Sequence, residues 1–177
     1  MRYEYFLLKQ DLYYGSGTQC PLASYYEYSR EVQKGDYSGL DNFKVTTVRP
    51  GEFNEYPDII SRQVFMVRQK ILDAILLFDK SINYGTRYLM DMEYKVMHPY
   101  FIPHLQPIDC LSSKAEISHG SLKKAVLSTA KIKEETHIFQ IGNLDDNTVV
   151  VSTALLEAIL RRKPEMIEYS RVEMSEV

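Results

Sequence analysis

Val64-Phe65-Met66-Val67 runs into Ile71-Leu72-Asp73-Ala74-Ile75-Leu76, and 84 residues later Val149-Val150-Val151 runs into Leu155-Leu156-Glu157-Ala158-Ile159-Leu160. Each copy begins with apolar, partly β-branched residues and continues with apolar positions at helical spacing, so each reads as a strand feeding an amphipathic helix. The identical pairs are Val67/Val151, Leu72/Leu156, Ala74/Ala158, Ile75/Ile159, Leu76/Leu160, Arg87/Arg171 and Met90/Met174, with no gap between them. A duplicated strand-helix-strand unit decides architecture, because each copy carries one apolar face that needs another layer over it. The expectation is an α+β fold, a mainly antiparallel sheet with two amphipathic helices, with repeat units at about 58–92 and 136–175.

The 177 residues suffice for a single α+β domain, with an N-terminal subregion at 1–50. Hydrophobic residues at 45%, charged residues at 25%, and only 8 Gly and 7 Pro exclude a disordered or fibrous chain. A net charge of −3 argues against a general nucleic-acid binder, which needs clustered Lys and Arg against the phosphates. The longest fully apolar run, Ala74 to Phe78, is far short of the ~20 residues that span a bilayer. Met1 to Asp11 interrupts its apolar residues with Glu4 and Lys9 and reads as a first strand rather than a secretion signal. Two cysteines, Cys20 and Cys110, make no disulfide framework and suit the reducing cytoplasm.

Along the chain, Tyr14-Gly15-Ser16-Gly17-Thr18 reads as a loop, and Ser24 with Glu27 as the cap of a short helix closed by Lys34-Gly35-Asp36. Phe43 to Val48 alternates as a strand ended by Pro50-Gly51. In the first repeat helix, Ile71, Leu72, Ala74, Ile75 and Phe78 form the buried face and Lys70, Asp73 and Lys80 the exposed one. Tyr84 to Met92 returns as a strand, whereas Met97 to His104 contains Pro99 and Pro103 and is expected at an edge or in an extended loop. Ser113 to Glu116 offers another helix cap. Thr136 to Ile141 and Thr148 to Val151 flank a Gly-Asn-Leu-Asp-Asp-Asn loop suited to an antiparallel hairpin. Ser152 or Thr153 then caps the second helix, Arg161 and Arg162 suit its negative end, Pro164 stops it, and Ile167 to Met174 is the last strand.

His98, His104, Asp109 and Cys110 are the closest group of potential metal ligands or Cys-His nucleophile components. Their spacing matches no metal or nucleophile signature. The plainer reading leaves the histidines exposed and packs Cys110 in the core, with His119 and His137 as surface or strand-end residues. Gly15-Ser16-Gly17 lacks the helix and Lys of a phosphate cradle, and neither a Gly-x-Ser-x-Gly elbow nor His-Glu-x-x-His occurs. No catalytic residue, cofactor or metal is therefore expected. The stretch holding Tyr25, Tyr26, Tyr28, Asp36 and Tyr37 suits a protein-binding surface, since Tyr gives large contact area at low entropic cost. Its alternative is rings packed on the sheet. The acidic pairs Glu134-Glu135 and Asp145-Asp146 read as solvated loop charges.

The order Asp58-Ile59-Ile60-Ser61, Val64 to Val67 and Lys70 to Leu76 resembles the central block of a bacterial family, formerly a domain of unknown function and later grouped with immunity proteins of polymorphic toxin systems, the myxobacterial-type immunity domain. Tyr100-Phe101-Ile102 leading to Ile108-Asp109-Cys110-Leu111-Ser112 is similar to its next element, and Ile138 to Ile141, Val149 to Val151 and Leu155 to Arg162 to its C-terminal block. The resemblance spans residues 43 to 174, and the tyrosine-rich stretch matches least. It implies a protein that binds and neutralises a cognate protein toxin stoichiometrically, without catalysis; the charge, apolar runs and cysteines above add the expectation of a cytoplasmic protein that engages neither nucleic acid nor membrane. Rival readings are a small hydrolase or transferase using the His98 to Cys110 segment, and a non-enzymatic scaffold or regulatory module.

Overall fold

The apolar spacing at Ile71, Leu72, Ala74 and Ile75 and its counterpart at Leu155, Leu156 and Ile159 closes two helices whose inner faces are buried together. The computed structural model describes residues 4–13, 18–19, 32, 34–39, 44–48, 54–61 and 64–176. In chain order its elements are β1 (Tyr5–Gln10), β2 (Thr18–Gln19), β3 (Lys44–Thr47), β4 (Asn54–Glu55), β5 (Ile59–Ile60), β6 (Met66–Val67), α1 (Gln69–Phe78), β7 (Tyr84–Asp91), β8 (Val96–Pro103) and β9 (Pro107–Ile108). They continue as β10 (Glu116–Ser118), β11 (Ser121–Lys124), β12 (Val126–Ser128), β13 (Ile138–Ile141), β14 (Val149–Ser152), α2 (Thr153–Leu160), β15 (Ile167–Arg171) and β16 (Glu173–Ser175).

Two five-stranded sheets dominate, in the orders β3-β7-β8-β6-β5 and β15-β1-β14-β13-β9. The fold is α+β as expected, and the pairing is mixed. Antiparallel ladders form most of it, while β3 with β7, β9 with β13, β12 with β16 and β2 with β4 run parallel. In each large sheet an antiparallel hairpin, β5–β6 or β13–β14, leads into a helix, and the helix leads into a strand, β7 or β15. One further strand lies between hairpin and returning strand: β8 in the first sheet and β1 in the second. Val67 and Thr86 flank Phe101 across β8, and Val151 and Arg171 flank Phe6 across β1.

The pleat sends alternate residues to different cores. Ile59 and Val67 join Leu8, Ile138, Val149, Val151 and both helices in one cluster, while Ile60, Met66, Tyr100 and Ile102 face a second cluster with Val32, Tyr37 and Val48. Val150, Phe139 and Ile141 face a third, around Tyr5, Cys110 and Leu127. Ser152 caps α2, its Oγ accepting the Leu155 N–H at 3.3 Å, and the Arg162 guanidinium donates to the Ala158 carbonyl at 2.7 Å at the negative end.

Several expectations change. Pro99 and Pro103 lie inside β8, between β7 and β6, not in an edge segment. Both share the pleat parity of Phe101, the residue that pairs with Val67, so their nitrogens face the β6 side. With only Met66 and Val67 in β6, no ladder bond is forfeited there; the opposite parity serves β7, as the Leu89↔His98 pairing continues through the 2.8 Å bond from His104 N–H to the Asn83 carbonyl. Lys70 is not a free surface charge, because its ammonium lies 2.7 Å from the buried Asp58 carboxylate. Ser113 to Glu116 opens the β10–β11 hairpin rather than a helix, turned by His119 and Gly120 with φ of 50° and 73°. The last strand is split at Val172 into β15 and β16. The Ser24 cap, the Pro50-Gly51 turn and most of the Tyr14–Thr18 loop lie outside the described residues, while Gly35 turns with φ 78° and donates to the Val32 carbonyl at 2.9 Å.

Candidate functional site

On the face of the first sheet turned away from the helices, the β7–β8 register places Arg87 opposite Tyr100 and Leu89 opposite His98. Tyr56 lies against this face. Its hydroxyl donates to Asp91 Oδ2 at 2.6 Å and its ring stacks on His98 at 3.6 Å. The Arg68 guanidinium is 3.2 Å from His98 Nδ1 and 5.7 Å from the centre of the Tyr100 ring. A guanidinium only donates, so Nδ1 accepts and the neutral ring carries its proton on Nε2. Tyr56 and the backbone N–H of Tyr94 hold the Asp91 carboxyl below its usual range, and partial burial, followed by the Arg68 charge, lowers His98 against the opposing pull of Asp91. Tyr100, fully buried, ties the same face to Pro57 through a 2.5 Å bond to its carbonyl.

His98 thus favours its neutral form in the folded chain. With a folded pKa below the ordinary 6.5, its contribution to stability is complete above pH 6.5 and declines as pH falls from there through the folded value. Urea unfolding midpoints followed downward from neutral pH should decline through that window, and His98→Gln, whose amide oxygen can still accept from Arg68, should flatten the decline. An unchanged slope in the variant would refute the assignment.

The second histidine of the group sits elsewhere. His104 stacks on Tyr37 at 4.3 Å, and Tyr37 is buried with its hydroxyl donating to the Leu105 carbonyl and accepting the Leu105 N–H, both at 2.9 Å. Burial pushes the Tyr37 hydroxyl up to about 12. His98 and His104 are both half-buried, rather than exposed, and belong to separate stacks. Asp109 is exposed beside Lys131 at 3.6 Å. Cys110 is fully buried, as the plainer reading expected, and burial pushes its thiol up to about 12, favouring the protonated form. The four residues are therefore not brought together, and among the described residues no group of three metal-ligating side chains converges.

His137 has a partner that the sequence reading lacked: its Nδ1 is 2.8 Å from Ser152 Oγ, with its ring 4.7 Å from Phe78. Extending the Ile138↔Val151 register by one residue puts the two opposite each other, and that extension was the available signal. With Ser152 wholly buried and already serving as helix cap, the pair locks the start of α2 rather than presenting a nucleophile. His119 is exposed, as are Glu134, Glu135, Asp145 and Asp146.

No protein-family model matches the chain, and no curated protein matches it. Its own surface is then the guide. Of the expected contact residues, Tyr25, Tyr26 and Tyr28 lie outside the described residues, Tyr37 is spent on the core, and Asp36 is exposed. Asp36 accepts from the Ser38 N–H and hydroxyl at 3.0 and 2.7 Å, which lowers its pKa. A surface the sequence did not single out is the turn joining β7 to β8 together with the start of β8, where Met92, Tyr94, Val96 and Met97 are 59%, 54%, 44% and 52% exposed. Asp91, fixed by Tyr56, accepts the backbone N–H groups of Glu93 and Tyr94 at 3.0 and 3.1 Å and so holds that turn in shape. Among the described residues no helix is long and apolar enough to cross a membrane.

Proposed function

We propose that the chain is a cytoplasmic immunity protein that neutralises a cognate toxin by stoichiometric binding, without catalysis, and that its contact surface is centred on the β7–β8 turn. One observation carries this reading: four large apolar side chains are exposed within the six residues Met92 to Met97, two on the turn and two at the start of β8, beside the Tyr56–Asp91 bond that braces the turn. Solvated apolar and aromatic groups held in one shape are what a binding hot spot requires, because little conformational entropy remains to be lost on contact. The inert Cys110 and the separated histidines favour binding over turnover. Asp36 lies at the Asn83–His104 end of the β7–β8 ladder, opposite that turn, and is proposed as a separate contact. We read the two strand-helix-strand segments as a duplicated unit, supported by their matching strand order around β8 and β1.

The test is affinity capture of the tagged protein from its native host, with the product of the neighbouring gene as candidate partner. A tight, inactive one-to-one complex is the expected result. Tyr94→Ala with Met97→Ala should weaken that complex by about 30-fold or more, the scale of a hot-spot loss of about 2 kcal/mol, while leaving the unfolding midpoint unchanged. If the candidate toxin is expressed and no complex is recovered, the immunity reading fails; if the complex forms and ignores both substitutions, the contact surface lies elsewhere.

A further inference from the structure

Strands that face water elsewhere in this chain carry charge: Lys123 and Lys124 are exposed on β11, and Arg171 on β15. The helix side of the first sheet differs. α1 packs over the end of that side where Val67 and Phe101 join its cluster. The same pleat parity continues along β7 through Thr86, Tyr88 and Met90. Register sets Pro99 and Met97 of β8 on one flank of these residues, and Val45 and Thr47 of β3 on the other. Val45, Thr47, Met97 and Pro99 are exposed, and the three β7 residues are half-buried. None of them is Asp, Glu, Lys or Arg, in a chain of which 25% is charged. The opposite side of the same strands is closed, with Arg87, Leu89, Asp91 and Tyr100 buried. An antiparallel sheet with one solvated face ordinarily turns polar residues outward. This face, open across β3, β7 and β8, has instead the composition of a covered one.

We propose that a second copy of the chain covers this face, through a two-fold contact of sheet against sheet. A two-fold axis sets a surface against itself, so a charge near the axis meets its own sign, and a face without charge is the one that can close on a copy. Depletion of charge, with Tyr and Met in its place, is also the composition of homodimer contacts, which are more apolar than contacts between transient partners. Two such sheets pack about 10 Å apart with their strands within about 30° of one another, their facing side chains interleaved. Size sets the strength. Strands β7 and β8 have eight residues each, so with β3 beside them the face measures about 27 Å by about 14 Å. That is below the ~800 Å² per partner of a standard stable interface, and the dimer is therefore reversible. Met97 belongs both to this face and to the contact surface proposed for the toxin, so the toxin and the second copy exclude each other.

Sedimentation velocity of the full chain, from about 1 to about 300 µM, should show a monomer–dimer equilibrium with a micromolar dissociation constant. Salt at about 1 M should leave it intact or tighten it, because no ion pair is there to be screened. Over the same concentrations the ¹⁵N-labelled chain should show amide shifts centred on β3, β7 and β8. Val45→Lys and Thr86→Lys each bring two like charges across the axis and should weaken the dimer by at least about tenfold. Ile117→Lys, at an apolar position of β10 that is likewise exposed, should leave it unchanged. Unfolding midpoints at the dilute end check that each variant folds. A monomer at every concentration overturns the proposal. So does a dimer that salt dissociates, one whose shifts fall outside β3, β7 and β8, or one that both face substitutions leave intact or Ile117→Lys weakens equally. The shift map is read on the wild-type chain and decides the contact even where a substitution prevents folding. Neither measurement involves a toxin, so this contact and the immunity reading fail separately.

Discussion

Asp58→Ala is expected to lower the unfolding free energy by about 2–3 kcal/mol, on the scale of removing one member of a buried, hydrogen-bonded charge pair. The carboxylate is buried just before β5, and its Oδ2 receives the Lys70 ammonium at 2.7 Å and the Glu165 N–H at 2.5 Å. Lys70 also donates to the Lys163 carbonyl at 3.2 Å, and the backbone N–H of Asp58 to the Glu165 carbonyl at 3.3 Å. One side chain thus fastens the start of α1 to the turn that follows α2. Alanine leaves the Glu165 N–H without its acceptor, whereas Lys70, 38% exposed, turns to water. Lys70→Met leaves that buried carboxylate with the Glu165 N–H but no countercharge, so it should cost at least as much as Asp58→Ala. Chemical denaturation of the two variants measures both, and an Asp58→Ala midpoint equal to the parent's would show that the clamp contributes nothing.

Ile75→Ala should destabilise by about 3 kcal/mol, within the range for removing three methylene-sized groups from a packed core. Ile75 and its counterpart Ile159 are both fully buried in the cluster that joins the helices to the two sheets. For a chain of this size the loss corresponds to a fall in melting temperature of roughly 6–12 °C. Leu77, on the same helix but exposed, is the internal control: Leu77→Ala should change stability by less than about 0.5 kcal/mol. Similar effects at both positions would mean that the inner face of α1 has been misassigned.

These contrasting sites indicate what the residues disclosed in advance. The helical faces and the β13–β14 hairpin were legible, since apolar period and turn composition are local properties of the chain. Pro99 and Pro103 misled because a proline's cost depends on whether a strand stands on its N–H side, which is a tertiary fact. The placement of β1 between β14 and β15 was equally hidden, for its partners lie more than a hundred residues away. At the candidate site, composition marked Tyr37 as large contact area but held no sign of which side it faces; its hydroxyl proved committed to Leu105. Met92, Tyr94, Val96 and Met97 carry the same apolar character as core residues, so only the turn geometry distinguishes them. The Asp58–Lys70 clamp reaches Glu165, 107 residues along the chain from Asp58, and has no local signature.

An interior strand of the second sheet, β1, is made first and paired last. While the ribosome extends the chain from Gln10 to Arg171, on the order of ten seconds of synthesis, β1 has neither neighbour, and its two backbone edges remain open until β14 and β15 emerge. Assembly of that sheet is thereby coupled to near-completion of translation, and its long-range loop closure places it among the slower, topology-limited folding events.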